Sequence, residues 1–336
     1  MANKYRAAVI GCGRIGSEFD EDPKRKYIAT HAGAYNRAKN VILAAACDTD
    51  RKKLNKCVKR WDIPAGYENY RKMMACEAID VASVCTSPET HYRIIKDLVN
   101  YDSIKAIFCE KPMADNLRDA REIVRLCKKK KVILQIDHQR RFDPLHRELR
   151  NFINGEGMGK VQQANFYYTA GVKNTGSHVF DLLRFLFGEA EWIEAFFSRN
   201  ESHKKEDPNL DGLVKFKSGL LCTFQALDVT KYLIFELNCF FEGGKIVLKN
   251  SGFDMDFYAT GKSAYFSGYK ELHKASHHFK VRYKRNFMVN AVNHLLHCVR
   301  KRKKSISSDE DGLRAVELIE KVILSAMNRG KRIYLK

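Results

Sequence analysis

His178 stands in the segment KNTGSHVFDLLRFLFG, residues 173–188, with Asn174 four residues before it and Asp181 three after. Residues three and four apart meet on one helix face, so a helix through this segment would group the three. Imidazole titrates near neutral pH and can take a proton from a hydroxyl. Asparagine can orient the ring or bond a hydroxyl, but it can neither accept a proton nor supply charge. The rest of the segment is mostly apolar. His178 therefore has two readings: a core histidine with a satisfied hydrogen bond, or a general base facing a pocket. The stretch alone does not decide between them. Asp181 reads as structural, bonded to backbone or to an arginine.

A second constellation can hold phosphate. VIGCGRIG places Gly11, Gly13 and Gly16 in G-x-G-x-x-G order directly after an apolar run. In that context Gly11 allows a tight turn, Gly13 lets the backbone approach a pyrophosphate, and Gly16 lets a helix pack closely on the sheet. Arg14 and Ile15 fill the positions before Gly16, so the whole run is the expected cradle. It would lie at a helix N-terminus, where N–H groups and the dipole favour an anion. Glycines serving only a tight turn are the plainer alternative. The next apolar run, VILAAACD, ends in Asp48, whose carboxylate can accept from the adenosine ribose hydroxyls. It would repel a 2′-phosphate, so NAD(H) is favoured over NADP, with Arg51 nearby keeping the phosphorylated form as the alternative. Asp48 lies well beyond the roughly 20 residues expected after the motif. The surplus is SEFDEDPKRKYIAT, residues 17–30, a charged stretch interrupting the first helix. It reads as a surface insertion, or else as a lid or subunit-contact loop beside the cofactor.

These groups need elements to hold them. Through residue 137 the apolar runs AAVIG, VILAAAC, IDVASVC, KAIFCE and VILQID alternate with helical patterns such as ETHYRIIKDLVN. That alternation predicts a parallel sheet covered on both faces. After residue 140 the pattern changes. A helix with Pro144 in its first turn, a strand KVQQANFYYTAG and the His178 helix come first. Strand patterns then succeed one another without helices between them. Tyr167 and Tyr168 alternate along a strand, so at most one faces a cleft. KSGL and EGGK read as hairpin turns. Two helices and KRIYLK close the chain. The expected fold class is α/β. A Rossmann dinucleotide-binding domain covers 1–137, and an α/β domain with a large, mainly antiparallel open sheet covers 138–336.

Lys and Arg exceed Asp and Glu by 60 to 40, a net charge of +20. The densest runs, KKKK at 128–131 and RKRKK at 300–304, each follow a helical pattern, at the end where the dipole favours cations. A solvated basic surface accounts for them. An anionic small substrate is the next reading, and nucleic acid is disfavoured because no reader motif accompanies the charge. No apolar run approaches the roughly 18 residues that span a bilayer, and the first residues lack a signal-peptide pattern. The ten cysteines are scattered through apolar segments without a C-x-x-C pair, which fits buried thiols and a cytoplasmic protein. No His or Cys cluster has metal-ligand spacing, so no metal is expected. His277 and His278 read as solvated surface.

GCGRIG, THAGAY, CDTD, TSPETH, CEKP, QRRFDP and GSHVFDLLRFLFG occur in the order and spacing of one family. The chain resembles the glucose–fructose oxidoreductase/inositol dehydrogenase/MocA family over essentially its whole length, closely to about residue 190 and more loosely beyond. The resemblance implies bound NAD(H) with the nicotinamide at the domain junction. It implies an open C-terminal sheet that joins subunits, as a homodimer or homotetramer. Lys111, within Glu110–Lys111–Pro112, matches the catalytic lysine, and the proline allows the Lys111–Pro112 bond to be cis. His178 matches the catalytic histidine. Thr86, Pro88 and His91 are expected along the cofactor, with Glu110 beside them and Arg141 near the nicotinamide. The implied substrate is a small polyhydroxylated molecule: a sugar, nucleotide sugar or cyclitol. The members it looks most like oxidise pyranoses or nucleotide sugars in polysaccharide pathways.

The chemistry agrees with these assignments. Oxidising a secondary alcohol needs a hydride acceptor, a proton acceptor, and a donor that offsets the growing alkoxide charge. Nicotinamide is the first, neutral His178 the second and the Lys111 ammonium the third. One position departs: many members carry aspartate where this chain has Asn174. His178 is then the sole base and feels Lys111 without a compensating carboxylate, so it should titrate lower than beside an aspartate. The alternative reading is a non-catalytic NAD(H)-sensing regulator on the same scaffold. Asn174 leaves room for it; Lys111 and His178 together argue against it.

Overall fold

The structure, a computed structural model, describes residues 4–202, 204–276 and 286–335. His277 and His278 lie outside the described residues. The chain divides into two compact units, Met1–Asp143 with Tyr283–Val316, and Pro144–Arg282 with Glu317–Lys336.

The first unit holds strands β1 (Tyr5–Ile10), β2 (Val41–Cys47), β3 (Ala65–Tyr67), β4 (Val81–Val84), β5 (Ala106–Cys109) and β6 (Ile133–Ile136). They pair in parallel in the order β3–β2–β1–β4–β5–β6. Every residue of β4 and β5 is buried, because helices cover both faces of such a sheet. Those helices are α1 (His31–Arg37), α2 (Arg51–Trp61), α3 (Tyr70–Cys76), α4 (Pro88–Leu98) and α5 (Leu117–Lys130). The Asp50 side chain caps α2 by accepting from the Lys52 and Lys53 N–H groups, and Asn116 caps α5 through Asp119 N–H. Each such cap stabilises by about 1 kcal/mol. On α5, Ala120, Ile123, Val124 and Cys127 form the buried stripe, at the three-and-four spacing of an amphipathic helix.

The helix expected directly after Gly16 is displaced. A single turn follows the glycine motif, with Ser17 N–H donating to Gly13 O at 2.9 Å, and a short 3₁₀ segment runs over Glu18–Glu21. α1 then docks on that turn, because His31 N–H donates to Ile15 O at 3.1 Å and Ala32 N–H to Gly16 O at 3.0 Å. Residues 17–30 are therefore looped out of an otherwise joined helical start. Asp20 fastens the loop by accepting from Ala29 N–H at 2.6 Å and from the hydroxyl of Thr30, the α1 N-cap, at 2.5 Å. Glu21 pairs with Lys56 on α2 at 2.6 Å.

The second unit begins with α6 (Pro144–Asn154), β7 (Val161–Thr169), α7 (Gly176–Phe187) and β8 (Ala190–Phe197). It continues through β9 (Leu210–Phe216), β10 (Leu221–Leu227), β11 (Phe235–Phe241), β12 (Gly244–Lys249), β13 (Asp254–Lys262) and β14 (Lys270–Ala275). Helix α8 (Phe287–Lys301) belongs to the first unit, and α9 (Asp309–Met327) starts in the first and ends in the second. β15 (Ile333–Tyr334) completes a sheet ordered β14–β13–β12–β11–β7–β10–β9–β8–β15. Only β7 and β10 pair in parallel. KSGL and EGGK make the β9–β10 and β11–β12 hairpins. One face buries Ala164, Phe166 and Tyr168 of β7 with Cys222, Phe224 and Ala226 of β10. Phe180 of α7 meets Phe224 edge-on at 5.2 Å. On the other face Asn165 donates to the Thr223 hydroxyl at 2.7 Å.

The two basic runs end α5 and α8. With Tyr5 and Lys105 they line a cavity of about 870 Å³ at the N-terminal ends of β1, β5 and β6. That is the opposite end of the sheet from the glycine motif, so the densest positive charge is not where the dinucleotide is expected. Among the described residues no helix is long and apolar enough to cross a membrane. All ten cysteines are free thiols, and Cys76 is the exposed one.

Candidate active site

The residues singled out from sequence fall into two groups, one on each unit, and each is built by its own unit. In the first, Gly11 leaves β1 at φ +97°, and a Cβ there would lie 2.7 Å from the Cys85 carbonyl carbon. A Cβ on Gly16 would lie 2.0 Å from Gly11 O. A Cβ on Gly13 would have nothing within 4 Å. Two glycines are thus demanded by the loop itself, while the third leaves an open face of the kind a pyrophosphate needs. These residues fit a bound dinucleotide. Asp48, just past β2, is brought to the same loop: Oδ2 accepts from Cys12 N–H at 2.7 Å and Oδ1 from Asp50 N–H at 2.8 Å.

Past β4, Thr86 accepts from the Thr90 hydroxyl at 2.7 Å, and Pro88 opens α4. His91 is 0% exposed, with Nε2 2.9 Å from Thr86 O and Nδ1 3.0 Å from Pro112 O. Both oxygens are acceptors, so a neutral ring donates to one at a time. Burial lowers the ring's pKa and keeps it neutral. His91 therefore clamps the Thr86 loop to the Lys111–Pro112 turn from the interior. Arg141, expected near the nicotinamide, is buried, 3.1 Å from Asp311 Oδ1, and donates to Ile306 O at 2.9 Å, tying chain segments together.

Lys111 follows β5, half-buried, and its bond to Pro112 is cis. Its N–H donates to Glu110 Oε2 at 3.2 Å. Glu110 also meets His31, whose Nε2 lies 3.0 Å from Oε1. His31 Nδ1 is 2.9 Å from Ser83 Oγ, and the Tyr35 hydroxyl is 2.9 Å from that same oxygen. Asp137, just past β6, completes this buried group, and a ligating atom from each of His31, Glu110 and Asp137 lies within 4.8 Å of the others.

In the second unit, His178 is half-buried in the first turn of α7. Asn174 is exposed in the preceding turn, Gly171–Thr175, which is π-helical: Gly176 N–H donates to Gly171 O, five residues back. Asn174 thus stands in the π turn and His178 in the first α-helical turn that follows it. Asp207 makes the turn, accepting from Lys173 N–H at 2.6 Å and Asn174 N–H at 2.9 Å. Asn209 Oδ1 accepts from Gly171 N–H at 3.0 Å. Such π turns are frequent at functional sites. Asp181 is buried within α7.

Family models match both units: one described as an oxidoreductase family with an NAD-binding Rossmann fold over residues 5–138, and its C-terminal alpha/beta domain over 172–335. The chain belongs to the glucose–fructose oxidoreductase/inositol dehydrogenase/MocA family. This oxidoreductase is 24% identical to D-apiose dehydrogenase of Paraburkholderia graminis, over 99% of its own length and 90% of that protein. It is 25% identical to myo-inositol 2-dehydrogenase of Thermotoga maritima, over 64% of its own length and 66% of that protein. The crystal structure of the WlbA dehydrogenase from Bordetella pertussis, in complex with NADH and UDP-GlcNAcA, shares its fold, with a TM-score of 0.79, 18% identity and 99% coverage of each chain.

Four supporting residues of this oxidoreductase had no assigned role in the sequence. Asp207 and Asn209 sit in EDPN, which announces a turn and not its target. His31 lies within THAGAY, and Asp137 ends VILQID. An acid closing a parallel strand was the one available signal, as it was for Asp48.

Proposed function

We propose that this oxidoreductase transfers hydride between NAD(H) and a secondary alcohol of a sugar, nucleotide sugar or cyclitol. The observation that carries the reading is Lys111, a cation at the C-terminal end of a parallel strand in an NAD-binding unit, with a carboxyl group behind it. Relatives named for D-apiose and myo-inositol support the substrate class. Bound nicotinamide supplies the hydride acceptor. Gly11, Gly13, Arg14, Ile15 and Gly16 cradle the pyrophosphate, and Thr86 and Pro88 border the cofactor. Asp48 accepts from the ribose hydroxyls with its remaining lone pairs, which favours NAD over NADP. His178 takes the hydroxyl proton, and the Lys111 ammonium donates to the oxygen that gains charge. Asn174, exposed and with its amide 3.4 Å from Ala170 O, bonds a substrate hydroxyl in this reading. The reading includes a cytoplasmic location and self-association, as a dimer or tetramer, through the polar face of the second sheet.

The deciding experiment is a screen of inositols, free sugars and nucleotide sugars, followed by NADH formation. Turnover of at least one, faster with NAD than with NADP, is expected. NADH binding with no turnover of any of them favours the sensing alternative. Asn174→Asp tests the base. A carboxylate beside His178 stabilises imidazolium, so the acidic limb of the pH–rate profile should move up by about one unit. An unmoved limb excludes His178 as a base that feels this position.

A further inference from the structure

The chemistry above uses Lys111 and leaves the buried group behind it without a role. His31 is 0%, Asp137 3% and Glu110 8% exposed. A buried carboxylate that lacks donors takes up a proton instead of staying charged. The contacts say which of the two carboxyls is short of donors. Glu110 has a nitrogen at each oxygen: His31 Nε2 lies 3.0 Å from Oε1, and Lys111 N–H donates to Oε2 at 3.2 Å. A side-chain hydrogen bond joins it to Asp137. Asp137 Oδ1 has no partner among the described residues. The Tyr35 hydroxyl oxygen and His31 Nδ1 each lie 2.9 Å from Ser83 Oγ. With the His31 proton on Nε2, facing Glu110, Ser83 O–H donates to Nδ1 and Tyr35 O–H to Ser83 Oγ, so the group runs in one direction.

We propose that Asp137 holds a proton at neutral pH, that Glu110 holds the charge, and that together with His31 they form a positioning site fixing one negative charge behind Lys111. This rests on Lys111 being the working ammonium. Burial, with Glu110 adding to it, raises Asp137 well above the carboxylate range, while burial raises Glu110. Burial pushes His31 down to about 4, so the ring is neutral. The other groups facing the pair are Lys111, which lowers both carboxyls, and the Cys85 and Cys109 thiols and Tyr35 hydroxyl, all raised by burial and neutral. Helix α8, also packed on β5 and β6, turns Asn290 to Phe142 O and His294 to Ile306 N–H.

Asp137→Asn keeps the shape of the acid and cannot ionise; Glu110→Gln removes the charge. The folded state holds a proton on Asp137 that the unfolded chain releases near pH 4. This contribution is fully present below about pH 4 and is lost as pH rises toward the folded pKa. Asp137→Asn does not suffer that loss. The difference in Tm between variant and wild type should therefore move steadily in the variant's favour from about pH 4 to pH 8. A difference that does not change with pH overturns the proposal. Glu110→Gln should move the alkaline limb of the pH–rate profile down by about one unit or more, because the ammonium loses its counter-charge, and Asp137→Asn should leave that limb in place. A limb moved by Asp137→Asn and not by Glu110→Gln puts the charge on the wrong residue and overturns it. So does a stoichiometric divalent metal in the purified protein that Asp137→Asn abolishes, since the three side chains are also near enough to ligate one. If neither variant folds, the infrared spectrum of the wild type at pH 8 decides. A carboxylic-acid carbonyl band is expected, and its absence is fatal to the idea. Should Lys111 not be catalytic, no limb will move, yet the pH-dependent stability difference will remain, so the two failures are told apart.

Discussion

Lys111→Met and His178→Asn each lower kcat by about 10²–10⁴-fold while NADH still binds. Methionine keeps much of the lysine's length and removes its charge, so the oxygen that gains negative charge loses its donor. Asparagine keeps a hydrogen-bonding group near the ring's position and removes the base. Neither change touches the glycine loop or Asp48, so an NADH fluorescence titration should return nearly the wild-type Kd. The loss should fall on kcat and not on KM alone, because in the proposed function both groups act as charge and proton move, not when substrate docks. The double variant should fall well short of the product of the two losses, since the groups serve a single event. Full turnover in both single variants ends the assignment of this oxidoreductase as a Lys–His dehydrogenase.

Gly16→Ala and Gly13→Ala should fail in different ways. A methyl on Gly16 lies 2.0 Å from Gly11 O, a backbone atom that can yield only by moving the end of β1. A loss of about 3 kcal/mol is expected, lowering Tm by roughly 10 °C. A methyl on Gly13 meets nothing within 4 Å, so the fold and Tm should hold. That methyl occupies the space a pyrophosphate requires, and NADH affinity should fall by about 100-fold or more, equivalent to roughly 3 kcal/mol. Differential scanning calorimetry with and without NADH separates the outcomes. Equal loss of Tm in the two variants contradicts this division of labour.

The fold was readable where backbone chemistry dictates residue type. β1, β4 and β5 announce themselves as short, mostly apolar runs, and KSGL and EGGK as hairpins. β3 and α3 escaped because a three-residue edge strand, AGY, has no period to detect. Residues 286–316, counted with the second half from sequence, pack in the first unit. The apolar stripe of α8 reports that it is buried, not which sheet buries it. The site divides similarly. Gly11, Gly16 and Asp48 could be read from spacing, whereas Lys111 and His178 gained meaning only from the motifs around them. The spacing of Asn174 and His178 did not reveal the π turn at Gly171–Thr175, which a carboxylate from a distant loop, Asp207, fastens through the Lys173 and Asn174 N–H groups. Counting residues cannot see a partner arriving through space. For the same reason the burial of His31 and Asp137 could not be read from sequence, since a titratable residue carries no mark that it will be buried.

Asp48 joins two demands in one side chain. The carboxylate read as the ribose acceptor also anchors the glycine loop through Cys12 N–H. On the proposed reading, a change toward NADP that removes this carboxylate also unties the glycine loop, so a single substitution of Asp48 should weaken the binding of NADH and NADPH alike.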